Sequence, residues 1–159
     1  MPFTYTAGMK RLLIAYHTQS GNTGRLVQAV VRGAQRAGEV EVSCKRAFDT
    51  TLEDLIACDG VVFGTAEYNG YMSGALKDLF DRTFYPAQGK LTNKPYAVVV
   101  SAGNDGTFAV QFIDRIARGY PLKRVAEPVI VVGEVTEVAE ARCDELGETF
   151  AAGLALGIF

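Results

Sequence analysis

Short apolar runs and amphipathic segments alternate along the chain. Runs rich in β-branched residues predict five strands, at residues 12–16, 40–44, 60–64, 96–101 and 129–132. Most of these runs lack the polar alternation of a strand with one solvated face. This pattern is typical of strands covered on both faces, as in a parallel sheet.

The segments between these runs place apolar residues at helical spacing. Helices are expected to begin near Gly24 and near Ala75 and to cover residues 52–57, 110–117 and 139–154. The strict alternation of strands and helices predicts an α/β fold: a doubly wound, three-layer domain with a parallel sheet and helices on both faces.

The chain has 159 residues, which suits one domain with a sizeable core. Residues 1–9 carry no regular pattern and are expected to form an N-terminal tail before a single domain at residues 10–159. No apolar run approaches the ~20 residues of a membrane helix, and the N-terminus does not resemble a signal peptide. We therefore expect a cytoplasmic protein with no membrane partner.

Charge and potential metal ligands exclude further classes. The formal net charge is −2 and no block of like charges occurs, so no nucleic-acid partner is expected. The sole histidine, His17, has no cysteine or second histidine nearby, so no metal site is expected. The three cysteines, Cys44, Cys58 and Cys143, are widely spaced and are interpreted as buried, reduced thiols.

Ligands of a doubly wound sheet bind beyond the carboxyl ends of its strands. The loop after the first strand is polar and leads into a helix, so its backbone N–H groups and the positive helix end favour a phosphate without a cationic side chain. Arg25, just inside this helix, either assists the phosphate or faces solvent. The candidate phosphate ligands are Thr18, Gln19, Ser20, Gly21, Asn22 and Thr23.

Two further loops follow the third and fourth strands. The first is long and contains tyrosines, which suits a flat aromatic ligand, although tyrosines at a sheet edge also serve packing alone. The second is small and polar, and its position beside the other two makes it a candidate. The candidate residues are Thr65, Ala66, Glu67, Tyr68, Asn69 and Gly70 in the first loop and Ser101, Ala102, Gly103, Asn104, Asp105 and Gly106 in the second.

The pattern Thr18-x-Ser20-Gly21-Asn22-Thr23 resembles the FMN-phosphate loop of the flavodoxin-like superfamily. The resemblance extends over residues 10–159. It implies FMN as the cofactor, a five-stranded sheet of order 2-1-3-4-5, and an uninterrupted fifth strand as in short-chain flavodoxins. The segment from Gly64 to Gly70 is similar to a loop of NAD(P)H-dependent FMN, quinone and azo reductases, with Ala66 in place of the usual proline.

The resemblance implies an oxidoreductase that passes hydride or electrons from NAD(P)H through FMN to a quinone-like or other small acceptor. The chemistry belongs to the flavin, so no catalytic side chain is expected. The alternatives are a flavodoxin-type one-electron carrier and a flavin-binding regulatory module without turnover. Carriers of this type sandwich the ring between aromatics and dock through an acidic surface. No aromatic lies between Ser101 and Thr107 and the charge is only −2, which favours the reductase.

Individual roles are also expected. By similarity to the glycine-containing loop of flavodoxins, the Asn69-Gly70 peptide is expected to face N5 of the flavin. Glu67 is interpreted as a carboxylate that organises the loop or faces a partner subunit. A homodimer or homotetramer is implied, with Tyr71, Phe84 and Tyr85 as candidate interface residues, although core packing explains the last two equally well.

Overall fold

The computed structural model describes residues 8–159. The tail expected over residues 1–9 lies outside the described residues, apart from Gly8 and Met9. The strands are β1 (Lys10–Tyr16), β2 (Val40–Arg46), β3 (Gly60–Ala66), β4 (Pro95–Ala102), β5 (Lys123–Arg124) and β6 (Val129–Val132). The helices are α1 (Asn22–Ala37), α2 (Leu52–Ala57), α3 (Gly74–Thr83), α4 (Thr107–Ala117) and α5 (Glu137–Leu156), with a 3₁₀ turn at Ala47–Asp49.

The strands form one parallel sheet in the order β2-β1-β3-β4-β5, and β6 also pairs with β4. This arrangement confirms the doubly wound α/β fold and the predicted order 2-1-3-4-5. Because β1 and β3 are neighbours while β2 lies on the far side of β1, the chain reverses direction across the sheet after β2. Such a reversal creates a crevice at the carboxyl ends of the strands.

The expectation of an uninterrupted fifth strand is wrong. The edge position beside β4 is filled by two short strands, with Lys123 opposite Pro95 and Val129 opposite Val99, so two residues of the connecting segment loop out. Pro128 immediately precedes the second strand and has no N–H to donate to β4. The edge strand therefore breaks at this point and resumes in a shifted register.

The sheet separates two hydrophobic clusters. Phe63, Phe80 and Tyr120 belong to the cluster on the α3 and α4 side, while Ile14 and Phe150 belong to the cluster beneath α1 and α5. Every residue of β4 is buried, and β3 is buried except at its last residue. The central strands are thus covered on both faces, as their continuous apolar sequence predicts.

Helices α1 and α5 approach each other unusually closely at two glycines. A Cβ atom on Gly33 would lie 1.8 Å from the carbonyl oxygen of Asp144, and one on Gly147 would lie 2.0 Å from that of Val30. Around this contact, Arg36 pairs with both Asp144 and Glu148. The two helices therefore pack backbone against backbone, which a side chain at either glycine would prevent.

Helix α2 is short and is held by a capping box. The Thr51 hydroxyl accepts a hydrogen bond from the Asp54 N–H at 3.2 Å, and the Asp54 carboxylate accepts one from the Thr51 N–H at 2.9 Å. Lys45 donates to the same carboxylate at 2.8 Å. The Lys45 contact and the Thr51 bonds outweigh the opposing effect of burial, so the pKa of Asp54 is lowered.

Replacing Thr51 with alanine is expected to lower the free energy of unfolding by about 1 kcal/mol, because the first N–H groups of α2 lose their acceptor. Urea denaturation followed by circular dichroism measures this change. Thr92→Ala serves as the control, since Thr92 is exposed and makes no side-chain hydrogen bond within residues 8–159. Equal losses in the two variants would contradict a capping role for Thr51.

The cysteines are free thiols within the described part of the chain. Cys58 and Cys143 are buried and Cys44 is partly buried. Burial is the main cause that raises the pKa of Cys58 to about 11 and that of Cys143 to about 12. Such thiols stay protonated at neutral pH, in agreement with the predicted structural role.

Candidate functional site

A cavity of about 550 Å³ opens at the carboxyl ends of the parallel strands. All three loops selected from the sequence contribute to its wall. The predicted residues that line it are Thr18, Gln19, Ser20, Asn22, Thr23, Ala66, Glu67, Tyr68, Ser101, Ala102 and Gly103. The loops meet because parallel strands that are neighbours in a sheet end at the same edge.

The remaining predicted residues lie beside the cavity and shape its loops. Thr65 is fully buried, donates to the Ala66 carbonyl at 2.8 Å and accepts from the Ser73 N–H at 2.9 Å. Gly21 and Gly106 precede α1 and α4 in left-handed conformations that favour glycine. The predicted residues outside the cavity wall are Gly21, Thr65, Asn69, Gly70, Asn104, Asp105 and Gly106.

Four residues of the cavity wall were not among the predicted ligands. Arg25 comes from α1, and Gly133, Glu134 and Val135 follow β6. The latter loop reaches the site because β6 pairs with β4 in register from Val129 to Val132. Residues 133–135 could have been predicted from the expected strand at 129–132, because the loops that follow the strands of a parallel sheet lie at the same edge.

The first loop leaves the N-terminus of α1 open toward the cavity. Helices α2, α3 and α5 have side-chain caps from Thr51, Ser73 and Thr136, whereas α1 and α4 have neither a side-chain cap nor an acidic residue in the first turn. The Thr18 hydroxyl accepts the Gly21 N–H at 3.0 Å and stabilises the turn. The first N–H groups of α1 therefore lack an intrahelical partner next to polar residues, an arrangement that favours an anion.

A buried pair of hydroxyls joins the first and third loops. Thr23 Oγ1 lies 2.8 Å from Ser101 Oγ, and both residues are almost completely buried. Either hydroxyl can be the donor. The bond connects the first turn of α1 to the end of β4 and thereby fixes one wall of the cavity.

The second loop turns back on itself at its tip. Tyr68 and Tyr71 exchange backbone hydrogen bonds of 2.9 and 3.0 Å around Asn69 and Gly70, which both have positive φ, at 52° and 74°. This conformation matches the tight turn that Asn-Gly favours. Tyr68 faces the cavity and Tyr71 faces a separate groove, so the turn forms the ridge between them.

Glu67 carries an unsatisfied carboxylate oxygen in the cavity wall. Its backbone N–H donates to the Ser101 carbonyl at 2.8 Å, which ties the second loop to β4. Within residues 8–159, its Oε2 is the one buried side-chain polar atom that lacks a hydrogen-bond partner. A buried acceptor without a partner is costly, so a ligand with an N–H or O–H group would stabilise this position.

The side chain of Arg25 contacts α5 and the cavity as well as solvent. Its Nε lies 3.3 Å from Glu140 Oε1 on α5, so its charge is paired across the helix contact although the side chain also lines the cavity. His17 lies behind the first loop, where its backbone N–H donates to the Gly64 carbonyl at 3.2 Å. Burial, and secondarily the charge of Arg46, lower the pKa of His17, so this side chain is neutral at pH 7.

Comparisons with known proteins agree with this architecture. The family model for NADPH-dependent FMN reductase matches residues 43–116. A flavodoxin of Aquifex aeolicus (strain VF5) is 30% identical over 98 residues, which cover 62% of this chain and 53% of that protein. The match thus spans about half the length of this curated relative.

Solved structures match over nearly the whole chain. A flavodoxin from the domain Archaea has a TM-score of 0.79 at 22% identity, covering 91% of this chain and 98% of that chain. A flavodoxin, WrbA-like protein from Agrobacterium tumefaciens has a TM-score of 0.76 at 19% identity, covering 93% and 98%. These likenesses show that the chain has a flavodoxin-like α/β fold.

The cavity of this flavodoxin-like fold has features that fit a phosphorylated flavin. The open end of α1 suits a phosphate, Tyr68 provides an aromatic wall, and the free oxygen of Glu67 suits a ring N–H group. Within residues 8–159, no group of three or more His, Cys, Asp or Glu side chains is placed to hold a metal ion. In the same part of the chain, no helix is long and apolar enough to cross a membrane.

Proposed function

We propose that this protein binds FMN in the cavity and catalyses electron transfer from NAD(P)H to a small quinone-like acceptor. The residues that would hold the phosphate are those of the loop from Thr18 to Thr23. The loops around Glu67 and Gly103 would hold the ring. When bound, FMN supplies the chemistry, since its N5 accepts a hydride and the flavin passes on electrons singly or in pairs.

The protein's own contribution is to bind and orient. The N–H groups at the start of α1 stabilise the phosphate charge, and the Thr23–Ser101 bond keeps this helix end at a fixed distance from β4. The Oε2 of Glu67 would accept a hydrogen bond from the ligand, since no donor within residues 8–159 supplies one. No side chain has to move a proton in the transfer, in keeping with the absence of a catalytic residue among the predictions.

One observation supports a reductase more than a carrier: the third wall of the cavity is small. It consists of Ser101, Ala102 and Gly103, and Tyr68 is the one aromatic side chain that residues 8–159 contribute to the cavity lining. A ring packed beside Tyr68 would keep its other face open. That face admits a nicotinamide or a quinone at the separation of about 3–3.5 Å that hydride transfer requires.

The similarity to a flavodoxin favours a second candidate function, one-electron transfer between protein partners. A flavin-binding module without turnover is a third. Both alternatives would use the same cavity as the reductase and differ in the molecule that approaches the flavin.

The cytoplasmic location, the identity of the acceptor, and assembly as a homodimer or homotetramer stay predictions. Tyr71, Phe84 and Tyr85, the suggested interface residues, line a separate groove between α3 and α4.

Reconstitution tests the cofactor and the donor in one experiment. The purified protein is expected to quench FMN fluorescence at micromolar concentrations, and FAD is expected to bind more weakly because its second phosphate continues into a nucleotide. Anaerobic titration with NADH and with NADPH is then expected to bleach the flavin absorbance in one two-electron stage. Turnover with a benzoquinone is the final readout.

The alternatives give different results in the same titration. A carrier is reduced by dithionite in two one-electron stages and is not bleached by either nicotinamide. A regulatory module binds FMN but does not turn over a quinone. A protein that fails to quench FMN fluorescence contradicts all three functions.

A further inference from the structure

Arg46 holds the first loop from behind. This residue ends β2, and its Nη2 donates to the Thr18 carbonyl oxygen at 3.0 Å. Its guanidinium also lies over the ring of Tyr16, 5.3 Å from the ring centroid. The side chain is partly buried, and both contacts restrict where it lies.

The hydrogen bond from Arg46 fixes the orientation of a peptide in the phosphate loop. In a planar trans peptide the carbonyl oxygen of one residue and the N–H of the next point in opposite directions. Because the Thr18 carbonyl points toward Arg46, the Gln19 N–H points away from it. Both Thr18 and Gln19 line the cavity, and the Gln19 backbone contacts the Tyr68 hydroxyl, so Arg46 fixes the orientation of a peptide in the cavity wall.

Arg46 is also an uncompensated positive charge. Within residues 8–159 no carboxylate pairs with it, whereas its neighbour Lys45 pairs with Asp54 at 2.8 Å. Arg25, the cation on the cavity wall, is paired with Glu140, and Glu134 lines the same wall. Of these two cations near the first loop, it is therefore Arg46 on β2, and not Arg25 on α1, whose charge is available to attract an anion.

The charge of Arg46 also affects the pKa values of two nearby side chains, His17 behind the first loop and Tyr68 in the cavity wall. Arg46 adds to the effect of burial in lowering the pKa of His17. For Tyr68, burial raises the pKa of the hydroxyl, while contact with the Gln19 backbone and the charge of Arg46 oppose the change. Because its pKa is lowered, His17 is neutral at pH 7 and adds no positive charge to the first loop.

We propose that Arg46 determines selectivity for a phosphorylated ligand, by placing behind the first loop a positive charge that no carboxylate within residues 8–159 pairs with, and by fixing the orientation of the Thr18–Gln19 peptide. The inference rests on the proposed binding of FMN. Arg25 was one candidate for assisting the phosphate because it lies just inside α1. The inference assigns this role to Arg46, which does not line the cavity.

The test compares three variants and three probes. Arg46→Met removes the charge and the hydrogen bond, Arg46→Lys retains the charge, and Arg25→Met removes the paired cation of the cavity wall for comparison. Dissociation constants for FMN and riboflavin come from flavin fluorescence at low and high salt. Inorganic phosphate is probed separately by its effect on the melting temperature, which also verifies that each variant folds.

Arg46→Met is expected to weaken FMN binding about tenfold at low salt and riboflavin binding less than about twofold. The loss for FMN should shrink at high salt because the ion interaction is screened. Arg46→Lys is expected to recover part of the affinity for FMN. Arg25→Met should weaken FMN binding clearly less than Arg46→Met does, because the charge of Arg25 is paired with Glu140.

Equal losses for FMN and riboflavin in Arg46→Met, or an equal loss for FMN in Arg25→Met, would overturn the inference and leave FMN binding intact. The same experiment also detects the opposite case, in which the proposed function fails and the inference does not. If the wild-type protein binds neither flavin but is stabilised by phosphate in an Arg46-dependent manner, the proposed function fails and the inference stands. No response of the wild-type protein to FMN or phosphate overturns both.

Discussion

Replacing Gly147 with alanine is expected to destabilise the protein by about 3 kcal/mol or more. The added Cβ would lie 2.0 Å from the Val30 carbonyl oxygen, and backbone atoms cannot rotate out of the way as a side chain can. Helices α1 and α5 would have to separate along the cluster that contains Phe150. Guanidinium denaturation followed by circular dichroism measures the change.

Gly74→Ala is the matched control for this substitution. Gly74 is the first residue of α3, its φ is not positive, and an added Cβ would meet no atom within 4 Å. Alanine is intrinsically the better helix former, so the free energy of unfolding should stay within about 1 kcal/mol of the wild type. A Gly147→Ala protein as stable as Gly74→Ala would show that α1 and α5 do not pack at the described distance.

Replacing Ser20 with aspartate is expected to weaken FMN binding about 100-fold or more. Ser20 lies in the first loop and lines the cavity, so the substitution introduces a carboxylate beside the proposed position of a phosphate dianion. Two unit charges of like sign about 4 Å apart repel by roughly 4 kcal/mol near a protein surface. Titration of FMN fluorescence gives the dissociation constant, and the loss should decrease at high salt.

Ser20→Asn controls for size, because asparagine is nearly isosteric with aspartate but uncharged. It is expected to cost less than about tenfold. Tyr68→Ala, which removes an aromatic wall without adding charge, should also cost less than Ser20→Asp. If Ser20→Asn and Ser20→Asp weaken binding equally, steric fit and not phosphate charge governs this loop, and equal losses in Tyr68→Ala and Ser20→Asp would assign the main contribution to the ring.

Most of the fold could be predicted because its signals are local. The continuous apolar runs of β3 and β4 identify buried parallel strands, and the alternation with amphipathic segments determines the architecture. The break in the edge strand was missed even though Pro128 is visible in the sequence. Whether a proline interrupts a strand depends on which neighbour the strand pairs with, and that is a property of the assembled sheet.

The candidate site divides in the same way. Eleven of the predicted residues line one cavity, because loops after parallel strands share one edge of the sheet. The partners of the charged residues beside the cavity could not be predicted from the sequence. Arg25 pairs with Glu140, 115 positions away, and Arg46 contacts Thr18 from 28 positions away.

By itself, then, the sequence determined the elements, the α/β fold and the loops that form the site, since hydrophobic periodicity and turn chemistry act between near neighbours. The tertiary structure alone decided which cation stays unpaired beside the first loop, which carboxylate oxygen is left without a donor, and how closely α1 and α5 approach. These properties depend on distances between residues far apart in the chain, and such distances exist only once the sheet and its helices are packed.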